Sequence, residues 1–125
     1  ARLPLLGLIA AGEPIEALEN PEMVDIPSSL LHPDNYVLQV KGNSMIDEQI
    51  HDKDYIVARK TNTARSGQIV VALINGEATL KYYIHGPEGV ELHPRNPDFP
   101  IIKVDSKDDF HINGVLLYSF RNYLN

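Results

Sequence analysis

The sequence predicts a mostly β fold: a strongly bent antiparallel or mixed sheet with a few short helical turns. Three observations point there. Nine valines and twelve isoleucines are spread along the chain, and β-branched side chains suit a pleated, half-buried surface. Nine prolines and eight glycines are scattered over the whole length, punctuating it into short segments. No long stretch carries apolar residues at the spacing of an amphipathic helix.

The elements follow in chain order. Leu3-Pro4-Leu5-Leu6-Gly7-Leu8-Ile9-Ala10-Ala11-Gly12 is an apolar run interrupted by Pro4 and Gly7, which spoil regular strand pairing. Residues 13–34, with Pro14, Pro21, Pro27 and Pro33, read as irregular, with room for a short strand at Met23 to Ile26 and one helical turn at Ser28 to Leu31. Tyr36 to Lys41 alternates and reads as a strand ended by Gly42. Ser44 to Gln49 is a short turn of helix, and Tyr55 to Lys60 the next strand. Ile69 to Ile74 is apolar on both parities, as in a strand buried on both faces. Asn75-Gly76 is a strong hairpin signal, with the return strand at Ala78 to Ile84. Val90 to Leu92, Ile101 to Val104 and Phe110 to Phe120 supply the remaining strands, and the prolines at 94, 97 and 100 make residues 93–100 a loop.

Composition narrows the function. The chain has 125 residues, the size of one domain. Seventeen acidic against eleven basic residues give a net charge of −6, whereas a bare nucleic-acid module is expected to be basic. There is no cysteine, hence no disulfide and no thiolate zinc site; a cytoplasmic location is expected. No apolar run approaches the ~18 residues of a membrane helix. The first twelve residues imitate a signal peptide, but the charged lead is Arg2 alone, Pro4 and Gly7 break the core, and Ile9 stands where a cut after Ala11 would want a small residue. The first residue is Ala1 rather than Met, so the chain reads as a piece of something longer.

Two residues are candidates for chemistry. A two-residue loop at Asn75-Gly76 pairs Ile74 with Glu77, Ala72 with Thr79 and Val70 with Lys81. Lys81 then shares a face with Val70, Ala72, Thr79 and Tyr83. It is either an edge-strand lysine reaching water or a desolvated amine with a lowered pKa. Ser44 stands at a strand-to-turn junction, either as the N-cap of a short helix or as a nucleophile. Gly42, two residues earlier, lets the backbone turn sharply there. Among the five histidines none is spaced as a zinc pair. Asp47, Asp52 and Asp54 do not fit a calcium loop and read as a solvated acidic turn. No phosphate-binding glycine motif occurs. No cofactor and no metal is expected.

Three strings, in this order, resemble a known family: Ala10-Ala11-Gly12-Glu13-Pro14, then Val40-Lys41-Gly42-Asn43-Ser44-Met45-Ile46-Asp47, then Ala78-Thr79-Leu80-Lys81. They look like the carboxy-terminal self-cleaving domain of the LexA repressor family, which includes UmuD and the phage repressors. Gly67 to Ala72, Leu92 to Phe99 and Ile112 to Val115 extend the likeness over essentially the whole chain. The resemblance implies a bent β fold of the LexA/signal-peptidase type, and a Ser/Lys dyad that cuts the protein's own chain. It makes Ser44 the nucleophile, Lys81 the general base, Ala11–Gly12 the scissile bond and the amides of Asn43 and Ser44 the oxyanion hole. Residues 1–12 become the cleavage-site segment and 13–125 the self-cleaving dimerisation domain; the helix-turn-helix DNA-binding domain of a repressor is absent from this chain. Lys41 and Asn43 depart from the family's usual residues without touching either catalytic side chain.

The chemistry sets its own demands. An ordinary lysine titrates near ~10.4, so a base for neutral pH must be brought down to about 7, roughly 4 kcal/mol of desolvation. Val70 and Ala72 supply apolar walls, and the cleavage segment would cover the rest. The resemblance further implies a homodimer through the strand around Asn113 to Arg121, contact with operator DNA only through the missing domain, and a RecA–single-stranded-DNA filament as the partner that favours docking. The alternatives are a UmuD-like accessory subunit of a translesion polymerase, an intermolecular peptidase like signal peptidase, and a β interaction module without activity. Ala11 favours the repressor, because UmuD-type sites more often resemble Cys-Gly.

Overall fold

The structure, a computed structural model, describes residues 1–123. Ten strands build one mixed sheet: β1 (Arg2–Ala10), β2 (Glu16–Ala17), β3 (Met23–Asp25), β4 (Asn35–Lys41), β5 (Tyr55–Arg59), β6 (Ile69–Ile74), β7 (Glu77–Gly86), β8 (Gly89–His93), β9 (Ile102–Lys103) and β10 (Phe110–Phe120). Two 3-10 turns, Ser28–Leu30 and Ile46–Glu48, are the helical content. The hydrogen-bonded order is β2-β1-β4-β5-β10-β6-β7-β8-β9, with β3 also on β1. The expected fold class is therefore found.

The hairpin of β6 and β7 has the register the turn dictates: Ile74 opposite Glu77, Ala72 opposite Thr79, Val70 opposite Lys81. Asn75 and Gly76 both have positive φ, 51° and 84°, as a type I′ turn requires. Alternate residues of β6 enter different cores. Val71 packs with Ile9, Leu38, Met45, Ile50, Ile56 and Leu80, whereas Val70 and Ala72 pack with Tyr83 and Leu92. The strand buried on both faces is thus confirmed.

Two expectations change. The apolar run at the start is not irregular. It forms the nine-residue strand β1, parallel to β4 and antiparallel to β2 and β3. Pro4 and Gly7 leave only a register shift between Leu5 and Gly7. Burial of Leu5 and Ile9 stabilises this pairing, at about 1.5–3 kcal/mol for each such side chain. Gly7 has a separate reason: a Cβ there would sit 2.5 Å from the Glu16 carbonyl, so only glycine lets β2 approach. The acidic turn is not all solvated either. Asp54 is buried, accepts Arg121 Nε at 2.6 Å and Nη2 at 3.0 Å, and takes the His51 amide at 2.8 Å. Burial alone would raise its pKa, but these bonds outweigh it and hold the carboxyl below its ordinary value.

The last long strand joins the two halves of the sheet. Phe110 to Val115 pairs with β6, and Val115 to Phe120 with β5. At the changeover, Gly114 leaves room for Tyr36, whose hydroxyl donates to Asn113 O at 3.1 Å and accepts from its Nδ2 at 3.2 Å. A Cβ on Gly114 would meet that hydroxyl and stand 3.0 Å from the Arg59 carbonyl. Gly114→Ala should therefore destabilise the fold by about 1–3 kcal/mol through overpacking. Urea unfolding measures this; an unchanged midpoint would mean that the crossing has room for a methyl group.

Candidate active site

Ser44 and Lys81, 37 residues apart, meet because β4 and β7 deliver them to one place. β4 ends at Lys41, and Gly42, with φ +95°, turns the chain into the loop that carries Ser44. That loop is tied down from within: the Gly42 amide donates to Asp52 Oδ1 at 2.8 Å, and the Asp52 amide to Asn43 Oδ1 at 3.0 Å. Ser44 is not a helix cap. Met45 precedes the 3-10 turn and no side chain caps it; the Ser44 hydroxyl instead accepts from Lys81 Nζ at 2.9 Å.

Lys81 is not an edge residue. β7 lies between β6 and β8, and the side chain is 1% exposed. Its Nζ also donates to Thr79 Oγ1 at 2.6 Å and Leu80 O at 3.2 Å. Desolvation by burial lowers its pKa to about 8. As an ammonium, Nζ donates its three N–H groups to Ser44, Thr79 and the Leu80 carbonyl; once neutral it keeps two for Thr79 and Leu80, and the freed lone pair is the one that faces the Ser44 hydroxyl. Thr79 was legible as a face-mate of Lys81, two residues away, but not as its hydrogen-bond partner.

The apolar segment brings Ala11 and Gly12 alongside. Ala10 pairs with Lys41. The Glu13 amide donates to Ala10 O at 3.3 Å and closes a turn over Ala11-Gly12, in which Gly12 has φ +76°. The Ala78 amide donates to Glu13 O at 2.6 Å, fastening the far side of the turn to β7. Ala10, Ala11 and Glu13 share one cleft with Gly42, Asn43, Ser44 and Phe99. Among the described residues, the Asn43 and Ser44 amides donate to no protein acceptor. No histidine joins the serine: His93 Nε2 lies 2.9 Å from Glu91 Oε1, and His85 lies against Tyr83. Phe99, Arg95 and Asn96 stood in the sequence within a proline-rich loop that shares the family likeness, with no role assigned to any of them.

The comparisons give the family to which this sheet belongs. The Peptidase S24-like family model matches residues 4–117, and the chain belongs to that family. Proteins named LexA repressor are similar to it over nearly its whole length. That of Syntrophotalea carbinolica is 45% identical over 98% of this chain and 61% of its own. That of Pseudothermotoga lettingae is 50% identical over 98% and 62%, and that of Syntrophobacter fumaroxidans 42% over 97% and 59%. The chain thus spans about three-fifths of the curated relatives it matches. Among the described residues no helix is long and apolar enough to cross a membrane.

The buried lysine has a thermodynamic signature. Its folded pKa of about 8 lies below the ordinary 10.5, so between those values the unfolded chain holds more protons. Stability therefore rises with pH across this window, and the full burial cost stands below about pH 8. Lys81→Met should stabilise the fold at pH 7 by on the order of 1–3 kcal/mol. The gain should shrink as pH approaches 10. Urea unfolding at both pH values checks this; a variant less stable than the parent at pH 7 would contradict a desolvated amine.

Proposed function

We propose that this chain is the regulatory domain of an SOS-response transcriptional repressor, and that it cuts its own Ala11–Gly12 bond with Ser44 and Lys81. The observation that carries the reading is the 2.9 Å contact between the Lys81 amine, 1% exposed, and the Ser44 hydroxyl, beside the turn that holds Ala11 and Gly12. Repressor relatives named LexA support the biological setting.

In this reaction neutral Lys81 takes the Ser44 proton as Oγ attacks the Ala11 carbonyl carbon. The amides of Asn43 and Ser44 stabilise the oxyanion. The tetrahedral intermediate collapses, the Ala11–Gly12 bond breaks, and protonated Lys81 delivers its proton to the departing Gly12 amine. Water then attacks the Ala11 ester with Lys81 again as base, which frees Ser44. The substrate is tethered, so proximity replaces bimolecular binding. Regulation falls to the population of the docked turn, and a RecA filament on single-stranded DNA is the partner that shifts it.

The whole protein would act in the cytoplasm as a homodimer through β10. Leu117 and Tyr118 are 40% and 43% exposed there, and a second copy would cover them. Operator binding belongs to the helix-turn-helix domain outside this chain. The UmuD-like reading shares every catalytic step and differs only in what the cleaved product binds.

Incubation from pH 6 to 10 with mass spectrometry should show one cut, leaving Gly12 as the new amino terminus. The rate should climb through about pH 8, where Lys81 becomes neutral, and then level off. Ser44→Ala and Lys81→Ala should each abolish it with the fold retained, since the two act as a unit. The filament should accelerate cleavage most at neutral pH. A cut elsewhere, or a rate falling with pH, would overturn the mechanism. Sedimentation equilibrium at high micromolar concentration should give twice the 14.0 kDa chain mass, and Tyr118→Glu should return it to one; a parent that stays monomeric would refute the dimer.

A further inference from the structure

The loop between β8 and β9 returns across the nucleophile loop and grips its backbone at consecutive residues. The Arg95 amide donates to Ser44 O at 2.9 Å, and the Asp47 amide donates back to Arg95 O at 2.7 Å. Asn96 Nδ2 donates to Asn43 O at 2.8 Å. The orientation of that side-chain amide is set by a second bond: Asn96 Oδ1 accepts the Asp98 amide at 2.9 Å, so the NH2 group is the one that faces Asn43. The Arg95 guanidinium stacks 4.0 Å above the Tyr82 ring and lies 3.6 Å from Glu48. The loop is thereby anchored on β7, one residue from Lys81. The same loop supplies Phe99 to the wall of the cleft beside Ala11.

The grip on Asn43 has a geometric consequence. A trans peptide unit is planar, and its C=O and N–H point in opposite directions. The Asn43 carbonyl and the Ser44 amide belong to one such unit. Holding the carbonyl against Asn96 turns the Ser44 N–H to the opposite side, away from the loop. An oxyanion donor is useful only when it is fixed before charge develops; within the loop the Asn43 carbonyl has one longer turn bond, from the Ile46 amide at 3.2 Å, and Asn96 adds the shorter one from outside it.

We infer that Asn96 is a positioning residue for the self-cleavage reaction: its side-chain amide, acting through the Asn43 carbonyl, aims the Ser44 N–H at the developing oxyanion. This rests on the self-cleavage reading above. It touches neither the substrate turn nor the amine, so its removal should act on the limiting rate and not on the titration of Lys81.

Asn96→Asp is the sharpest test. It keeps the size of the side chain and the acceptor for Asp98 but removes the donor to Asn43. Self-cleavage of the chain is followed from pH 6 to 10 beside the parent, Ser44→Ala and Asn96→Gln. Asn96→Asp should lower the alkaline plateau by about 10–100-fold, below the full loss of an oxyanion donor because the donor is misaimed rather than deleted. The midpoint of its profile should stay with the parent's. Asn96→Gln, which restores a donor on a longer arm, should recover part of the plateau. Circular dichroism checks folding, and Asn96→Ala provides the same plateau reading if the aspartate variant does not fold. An unchanged plateau, or a loss confined to neutral pH with the midpoint displaced upward, overturns the inference; the second result would mean that the loop merely keeps Lys81 dry. Cleavage persisting in Ser44→Ala would instead refute the self-cleavage reading itself.

Discussion

The dryness of a single amine governs the site. Lys81 reaches water with 1% of its surface, and a lysine that is wet is protonated and cannot accept from a serine. No opposite charge compensates it: its partners are the hydroxyls of Ser44 and Thr79 and the Leu80 carbonyl. The surrounding sheet must therefore bear the desolvation cost by burying apolar surface elsewhere. Val70 and Ala72, both fully buried, do this on the facing strand. β1, which leads into Ala11-Gly12, does it from the other side, through Ile9 in the core cluster around Leu38, Met45 and Leu80. In the proposed reaction, substrate docking and activation of the base would be a single packing event.

The turn at Ala11-Gly12 is fastened twice, as the proposed reaction would need. Ala10 is bound into the β1–β4 ladder, and Glu13 to the amide of Ala78. A turn fastened on one side alone would sample many positions relative to Ser44, and the proposed cleavage would lose the entropic benefit of a tethered substrate. Gly12 accepts the left-handed conformation that joins the two anchors.

What could be read beforehand was local. The Asn75-Gly76 turn fixes its own register, and every β6–β7 pair, including Val70 with Lys81, follows from it by counting. Whether Lys81 was wet could not be read that way, because it depends on β8 and β1, which lie beyond the hairpin. β1 itself was obscured by Pro4 and Gly7. Both look like strand breakers, yet Gly7 is required by the close approach of the Glu16 carbonyl, a contact made only once β2 has folded back. Asp54 with Arg121 and Asn96 with Asn43 are separated by 67 and 53 residues, and no periodicity announces such pairs. The Ser44 hydroxyl was ambiguous for the same reason: its alternative as a helix cap is decided by a lysine 37 residues away.

The changeover of β10 from β6 to β5 has a bearing on biosynthesis. In the hydrogen-bonded order, β4 and β5 stand on one side of this strand and β6 and β7 on the other. Ser44 follows β4 and Lys81 lies in β7, so the strand that zips the two groups together is synthesised after both. Until Phe110 to Phe120 has emerged, the two halves of the sheet lack their common seam, and Lys81 sits in an incomplete wall open to solvent. An ammonium ion in that setting is inert toward a peptide bond. In the proposed self-cleavage, strand order would act as a timing device: a nascent chain could not cut itself before β10 had emerged.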